Sequence, residues 1–203
     1  MFNPALGVLF IYYLYITEHT SEKCSSIIQI DEHFFCNKFI YKYVGEQLLD
    51  TYRVTFFGHR DFNDHRRIEG TLFQTIRDLL ISKAFVEFYI GRNGEFDRFC
   101  ASVIKRVQDA MGKENSELIL VLPYTDKDIE YYEKYYDDVM IPETIEKTHP
   151  KGAIGKRNRW MIENSDLLIC YVDKQEGGAY TALNFAKKND KKIVNLAKME
   201  LEL

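Results

Sequence analysis

An α/β fold built on a mainly parallel sheet of about five strands is predicted by three features of the sequence. From residue 54 onward, short apolar runs alternate with longer stretches of helical periodicity. That is the pattern of strands joined by right-handed crossovers. The apolar runs are continuous rather than alternating, as strands are when helices cover both faces of a sheet. Glycines stand where several of the runs end. Together these features predict a three-layer α/β/α arrangement, preceded by an N-terminal extension.

The elements follow in order. "VTFFG" (54–58) reads as a short buried strand. Residues 66–82 place Ile68, Leu72, Ile76, Leu79 and Leu80 at helical spacing. "AFVEFYIG" (84–91) is a second strand, and Phe96, Phe99, Val103 and Val107 mark one face of a helix over 95–111. "ELILVLPY" (117–124) is a third strand, stopped by Pro123. The tyrosine-rich stretch 127–140 reads as a polar helix or loop-helix, and 150–165 becomes helical after Gly155. "DLLICYV" (166–172) is a fourth strand, 177–190 a helix entered through glycines, and "KKIVNLA" (191–197) a fifth strand.

The regular pattern sets a domain of residues 53–203 behind an extension of residues 1–52. The run "PALGVLFIYYLYI" (4–16) is shorter than the ~20 residues that span a bilayer. No Lys or Arg precedes it, as one would in a signal peptide. An edge strand, a packed element or an upstream extension is favoured over a membrane anchor, and a cytoplasmic protein without membrane association is expected. Among 203 residues, hydrophobic content is 46% and charged content 29%, the composition of a globular domain. A net charge of -4 lacks the overall basic field of a nucleic-acid binder, so nucleic acid is the disfavoured partner. Cys24, Cys36, Cys100 and Cys170 form no CxxC pair, and the five histidines have no ligand spacing. Neither a metal nor a cofactor is expected. The oligomeric state is left open, with a homo-oligomer as one option.

Ligands of open parallel α/β sheets bind beyond the carboxyl ends of the strands. Gly58, His59 and Arg60 follow the first strand, Gly91 to Asp97 the second, and Glu176, Gly177, Gly178 and Tyr180 the fourth. Glycine lets backbone amides approach a ligand, and a helix N-terminus offers free N–H groups and a positive dipole end. Gly177-Gly178 is therefore a candidate phosphate cradle, with Gly91 and Gly94 as a second turn. Arg60 and Arg157 are candidates for bidentate anion contacts. Each has a plainer alternative: a tight turn, a packed histidine, an acid favouring a helix dipole, a solvated "KRNR" face at 156–159, and a tyrosine cluster used for packing.

The motifs "FFGHRDF" (56–62), "GRNGEFD" (91–97), "LVLPY" (120–124), "GKRNRWMIENSDLLI" (155–169) and "EGGAYTALNFA" (176–186) together resemble the SLOG superfamily, and within it the YpsA-like branch. The resemblance spans roughly residues 53 to 197 and implies a Rossmann-like fold. It also implies a nucleotide or nucleotide-derived ligand across the strand tips, and adds Thr181 to the ligand-binding set. The better-known phosphoribohydrolases of this superfamily carry R-K-x-x-M and P-G-G-x-G-T-x-x-E motifs. Here Arg157, Met161, Gly177, Gly178 and Thr181 match, whereas Asn158 takes the lysine position, Tyr180 the third glycine and Asn184 the glutamate. An amide cannot stabilise an oxocarbenium ion or activate water as a carboxylate does. Glu95, Asp97 and Glu176 are candidates for a substitute carboxylate, with Asp97 and Glu95 the catalytic candidates. The leading expectation is binding or sensing of a nucleotide-like ligand. The alternatives are N-glycosidic hydrolysis with a non-standard carboxylate, and association with single-stranded nucleic acid.

Overall fold

Thr51 to Gly58 form the central strand, and every other strand of the main sheet is placed by reference to it. A computed structural model describes residues 43–44, 47–48, 50–146 and 148–198. The chain divides into two compact units, Met1–Cys36 and Asn37–Leu203, and the described residues all belong to the second. The apolar run at 4–16, with Cys24 and Cys36, lies outside them.

In chain order the elements are β1 (Thr51–Gly58), α1 (His65–Ser82), β2 (Phe85–Ile90), α2 (Glu95–Met111), β3 (Ser116–Val121), α3 (Ile129–Tyr135), β4 (Asp138–Met140), α4 (Glu143–Glu146), α5 (Pro150–Glu163), β5 (Leu167–Tyr171), α6 (Gly177–Lys188) and β6 (Lys192–Asn195). A two-residue antiparallel pair, Tyr43–Val44 with Gln47–Leu48, precedes them. The sheet runs β4-β3-β2-β1-β5-β6 with every pairing parallel. The expected α/β/α class holds, with six strands rather than five.

Strand side chains alternate between two cores, as a period of two requires. Val54 and Phe56 of β1, Val86 and Phe88 of β2, and Leu167 and Ile169 of β5 face the helices α1 and α2. Phe57, Tyr89, Leu168 and Cys170 face α5 and α6. Ile68, Leu72, Ile76 and Leu80 are the buried stripe of α1. Full burial of each such side chain stabilises by ~1.5–3 kcal/mol. Cys100 and Cys170 are buried free thiols, and burial pushes both upward, Cys170 to about 12.

Two elements differ from the sequence reading. β4 lies inside the stretch taken as a tyrosine-rich helix or loop-helix, of which only Ile129–Tyr135 is helical. Three residues carry too little periodicity to be read. Asp137 makes the strand: its Oδ2 accepts the Leu118 N–H at 2.8 Å and Gln108 Nε2 at 3.0 Å, holding the chain against the edge of β3. The second difference is the start of α5, at Pro150 rather than after Gly155. Proline at N1 is preset for a helix, and His149 Nδ1 accepts the Lys151 N–H at 3.3 Å. That start is enough to carry the helix through Gly152 and Gly155.

Candidate functional site

The strand order reverses at β1, which has β2 on one side and β5 on the other. Beyond the carboxyl ends of those strands a crevice opens, because the two crossovers leave in opposite directions. A cavity of about 280 Å³ occupies that crevice. It is lined by Phe56, Phe57, Gly58, His59 and Arg60 from β1 and its loop; Gly91, Asn93, Gly94 and Asp97 from the β2–α2 turn; Ile154, Arg157 and Asn158 from α5; and Gly177, Gly178 and Ala179 from α6.

The strand ends in glycine because of Phe96. A Cβ on Gly58 would stand 2.2 Å from Phe96 Cγ, so the fully buried ring lies directly on the Gly58 backbone. This docks the first turn of α2 onto the tip of β1. The loop after Gly58 is held further by Glu95, whose N–H donates to the Arg60 carbonyl at 3.0 Å and whose Oε2 accepts the Phe62 N–H at 3.2 Å. Phe62 packs edge-on against Phe96 and Tyr171, and Tyr171 donates its hydroxyl to Asp64.

His59 bridges to the other side of the crevice. Its Nε2 is 3.3 Å from the Lys174 N–H and 3.1 Å from Asp173 Oδ1. Arg60 is exposed and, among the described residues, has no ion pair.

Arg157 is the unusual group. It is 5% exposed, in the stripe Ala153–Arg157–Met161 that α5 turns inward. Its Nη1 donates to the Val121 carbonyl at 3.3 Å, but its Nε is buried with no hydrogen-bond partner. Asn158 Oδ1, also in the lining, is buried without one too. Burial pulls the Arg157 guanidinium below its ordinary pKa, against the pull of Asp97 and Tyr124. A Cβ on Gly91 would meet Arg157 Nη1 at 2.4 Å and Asp97 Oδ2 at 2.8 Å, so glycine is what lets both groups approach this turn. Burial pushes the Asp97 carboxyl up to about 6, against the pull of the Arg157 charge and of the Gly94 and Asn93 backbone.

Gly177 has φ 81°, in the region that favours glycine, and opens α6 without a side-chain cap or an acidic residue in the first turn. Its free N–H groups and positive dipole end are fitted to an anion.

Of the expected ligand-binding residues, Gly58, His59, Arg60, Gly91, Gly94, Asp97, Arg157, Gly177 and Gly178 line one cavity. Four other candidates lie outside its lining. Glu95 holds the β1 loop, Glu176 is the exposed N-cap of α6, and Tyr180 packs against the α5–α6 core. Thr181 donates its hydroxyl to the Gly177 carbonyl at 3.0 Å. Asn93, Ile154 and Asn158 also line the cavity but carry no clear signal in the sequence: Asn158 departs from the motif, and Ile154 precedes Gly155, after which the helical pattern begins.

These features define an open, parallel, Rossmann-like α/β protein with an anion-suited cavity at its topological switch point. No family model matches the chain, and no curated protein matches it. Among solved structures it is similar to DNA processing protein A from Streptococcus pneumoniae, at 14% identity and a TM-score of 0.51, over 95% of this chain and 70% of that one. It is also similar to DNA processing protein A from Helicobacter pylori, described for its single-stranded DNA binding mode. That match has 17% identity and a TM-score of 0.49, over 70% of this chain and 63% of that one. What the Streptococcus pneumoniae likeness establishes is the fold. Among the described residues no helix is long and apolar enough to cross a membrane, and no three His, Cys, Asp or Glu residues gather as a metal site.

Proposed function

We propose that this chain is a cytoplasmic binding or sensor protein for a nucleotide or nucleotide-derived small molecule. Its Rossmann-type domain would bind the phosphate between Arg157, Arg60 and the N-terminus of α6. The observation that carries the reading is Arg157: a buried guanidinium with an unpartnered Nε, in the same cavity lining as the glycine-opened helix end. A buried cation is costly unless paired, and a bidentate oxyanion supplies both charge and acceptors. The motif resemblance to the YpsA-like branch of SLOG proteins supports the same reading. Thermal unfolding of the full chain with AMP, NAD, ADP-ribose and inorganic phosphate is the test, since a ligand of the native state raises the melting temperature. The expected result is a rise with a nucleotide that shrinks in Arg60→Ala. A well-folded protein that ignores the whole panel would overturn the reading.

A second reading is hydrolysis of an N-glycosidic bond. Asp97 favours it, as a carboxyl in the cavity lining with a pKa of about 6, near the range useful for proton transfer. Asn184, at the position of the related enzymes' glutamate, is outside the lining. Release of free adenine from AMP, lost in Asp97→Asn, is the expected signature.

A further inference from the structure

A second cavity, of about 390 Å³, adjoins the first: Asn93 lines both. Its walls are aromatic and basic rather than glycine-rich. Tyr131 and Tyr135 stand one helical turn apart on α3, where Cβ atoms are ~5–6 Å apart. They are 69% and 37% exposed, whereas Tyr132 beneath them is buried. The Arg92 guanidinium lies 4.9 Å from the centre of the Tyr132 ring and is held there by Asp126 at 2.6 Å. Arg98 completes the wall with its side chain 65% exposed, its nearest carboxylate oxygen being Glu95 Oε1 at 3.9 Å.

Two exposed rings on one helix face, one with the Lys105 ammonium 4.7 Å from its centre, beside the fixed Arg92 and the exposed Arg98, make a stacking platform for a flat, electron-rich ring. The two cavities meet at Asn93, so a ligand that reaches past this residue can occupy both. We propose that the tyrosine cavity takes a second nucleobase, and that the ligand is a short two-base nucleotide whose phosphate sits against Arg157. The inference rests on the anion-site reading of the first cavity. Glu130 and Glu133 share α3 with the two tyrosines, which weighs against a long polyanion and for a short ligand.

The test compares AMP, the diadenylate pApA and the oligonucleotide dA12 by calorimetry on the full chain and on Tyr131→Leu/Tyr135→Leu, which keeps bulk but removes both rings. The wild type is expected to bind pApA about tenfold more tightly than AMP, the scale of one stacked base. The double variant is expected to bring pApA down to the AMP level while AMP is unchanged; that unchanged binding also shows the variant is folded. Equal affinity for AMP and pApA, or a pApA preference that survives the substitution, would overturn this inference and leave the anion site standing. Absence of binding by AMP, pApA and dA12 alike would overturn the anion site, and this inference with it. Binding of dA12 far more tightly than pApA, with a steep salt dependence, would overturn the short ligand in favour of a polymer.

Discussion

Two helices begin at the same rim of the sheet, and their N-termini are fitted in opposite ways. α2 meets its own: the Glu95 N–H donates to the Arg60 carbonyl at 3.0 Å, Glu95 and Asp97 stand in its first turn, and Phe96 is seated on Gly58. α6 has Gly177 and Gly178 in its first turn and no acid there, its N-cap being the exposed Glu176; neither helix has a side-chain cap hydrogen bond. Both termini carry the same dipole and the same orphan donors. The difference lies in what answers them. A terminus met by its own acids and the neighbouring loop serves the fold; one without them, in the same cavity lining as a buried arginine, suits a ligand anion.

The largest way to break the closed side is Gly58→Ala. The added Cβ must displace a fully buried ring, and overpacking of this kind costs ~1–3 kcal/mol. Urea denaturation should show a lower midpoint. A midpoint equal to wild type would mean that Phe96 is not anchored as described.

Comparable in size is Asp97→Asn. A carboxyl at about 6, against its ordinary 3.8, means the native state holds a proton that the unfolded chain releases. Native stability therefore falls as pH rises from about 4 to 6 and is then level, a loss on the order of 2–3 kcal/mol by linkage. The amide cannot ionise, so the variant should be more stable than wild type at pH 7.5, with the gain fading toward pH 4. Paired denaturation curves at the two pH values check this; a variant destabilised at pH 7.5 would show that the charge is better compensated than its burial suggests.

Gly178→Asp converts the open terminus into the closed kind. A Cβ there meets nothing within 4 Å, so the fold should accept it. The new carboxylate would claim the helix end. Nucleotide affinity is expected to fall by about thirtyfold, on the order of 2 kcal/mol, with the melting temperature held or slightly raised. Unchanged affinity would place the phosphate elsewhere.

The smallest expected effect is Arg60→Ala, because the side chain is exposed and a surface charge is screened. Affinity should fall by about fivefold at low salt, on the order of 1 kcal/mol, and the difference should narrow at higher ionic strength. A salt-independent loss would mean that Arg60 shapes the loop rather than meeting charge.

The sequence made much of this site legible, for identifiable reasons. Gly58, Gly91 and Gly177 were visible because a strand tip or a helix start in that fold class is where glycine has a use. Arg157 was visible as a residue through its motif, but its burial was not. "KRNR" has the composition of a solvated face, and only the docking of α5 on the sheet turns one of its cations inward. Tyr180 and Thr181 were drawn in by nearness along the chain; the helix turns one toward the core and the other onto its own backbone. The tyrosines of α3 were read chiefly as packing or interface residues, and their distance in sequence from Gly91 concealed that the two cavities share Asn93.

What the sequence determined by itself was the class of the fold, the side of the sheet on which chemistry gathers and most of the residues at that rim. Alternating apolar runs and helical stripes are local patterns, and glycine's backbone freedom is a property of single residues. Tertiary structure alone decided which charges are buried, which helix end is already closed, and that β4 exists at all. Those outcomes depend on what lies across the sheet from each group: Phe96 against Gly58, Asp97 and Arg157 against Gly91, Asp137 against Leu118. Burial and partnering are set by neighbours distant in the chain, and no local pattern of residues encodes them.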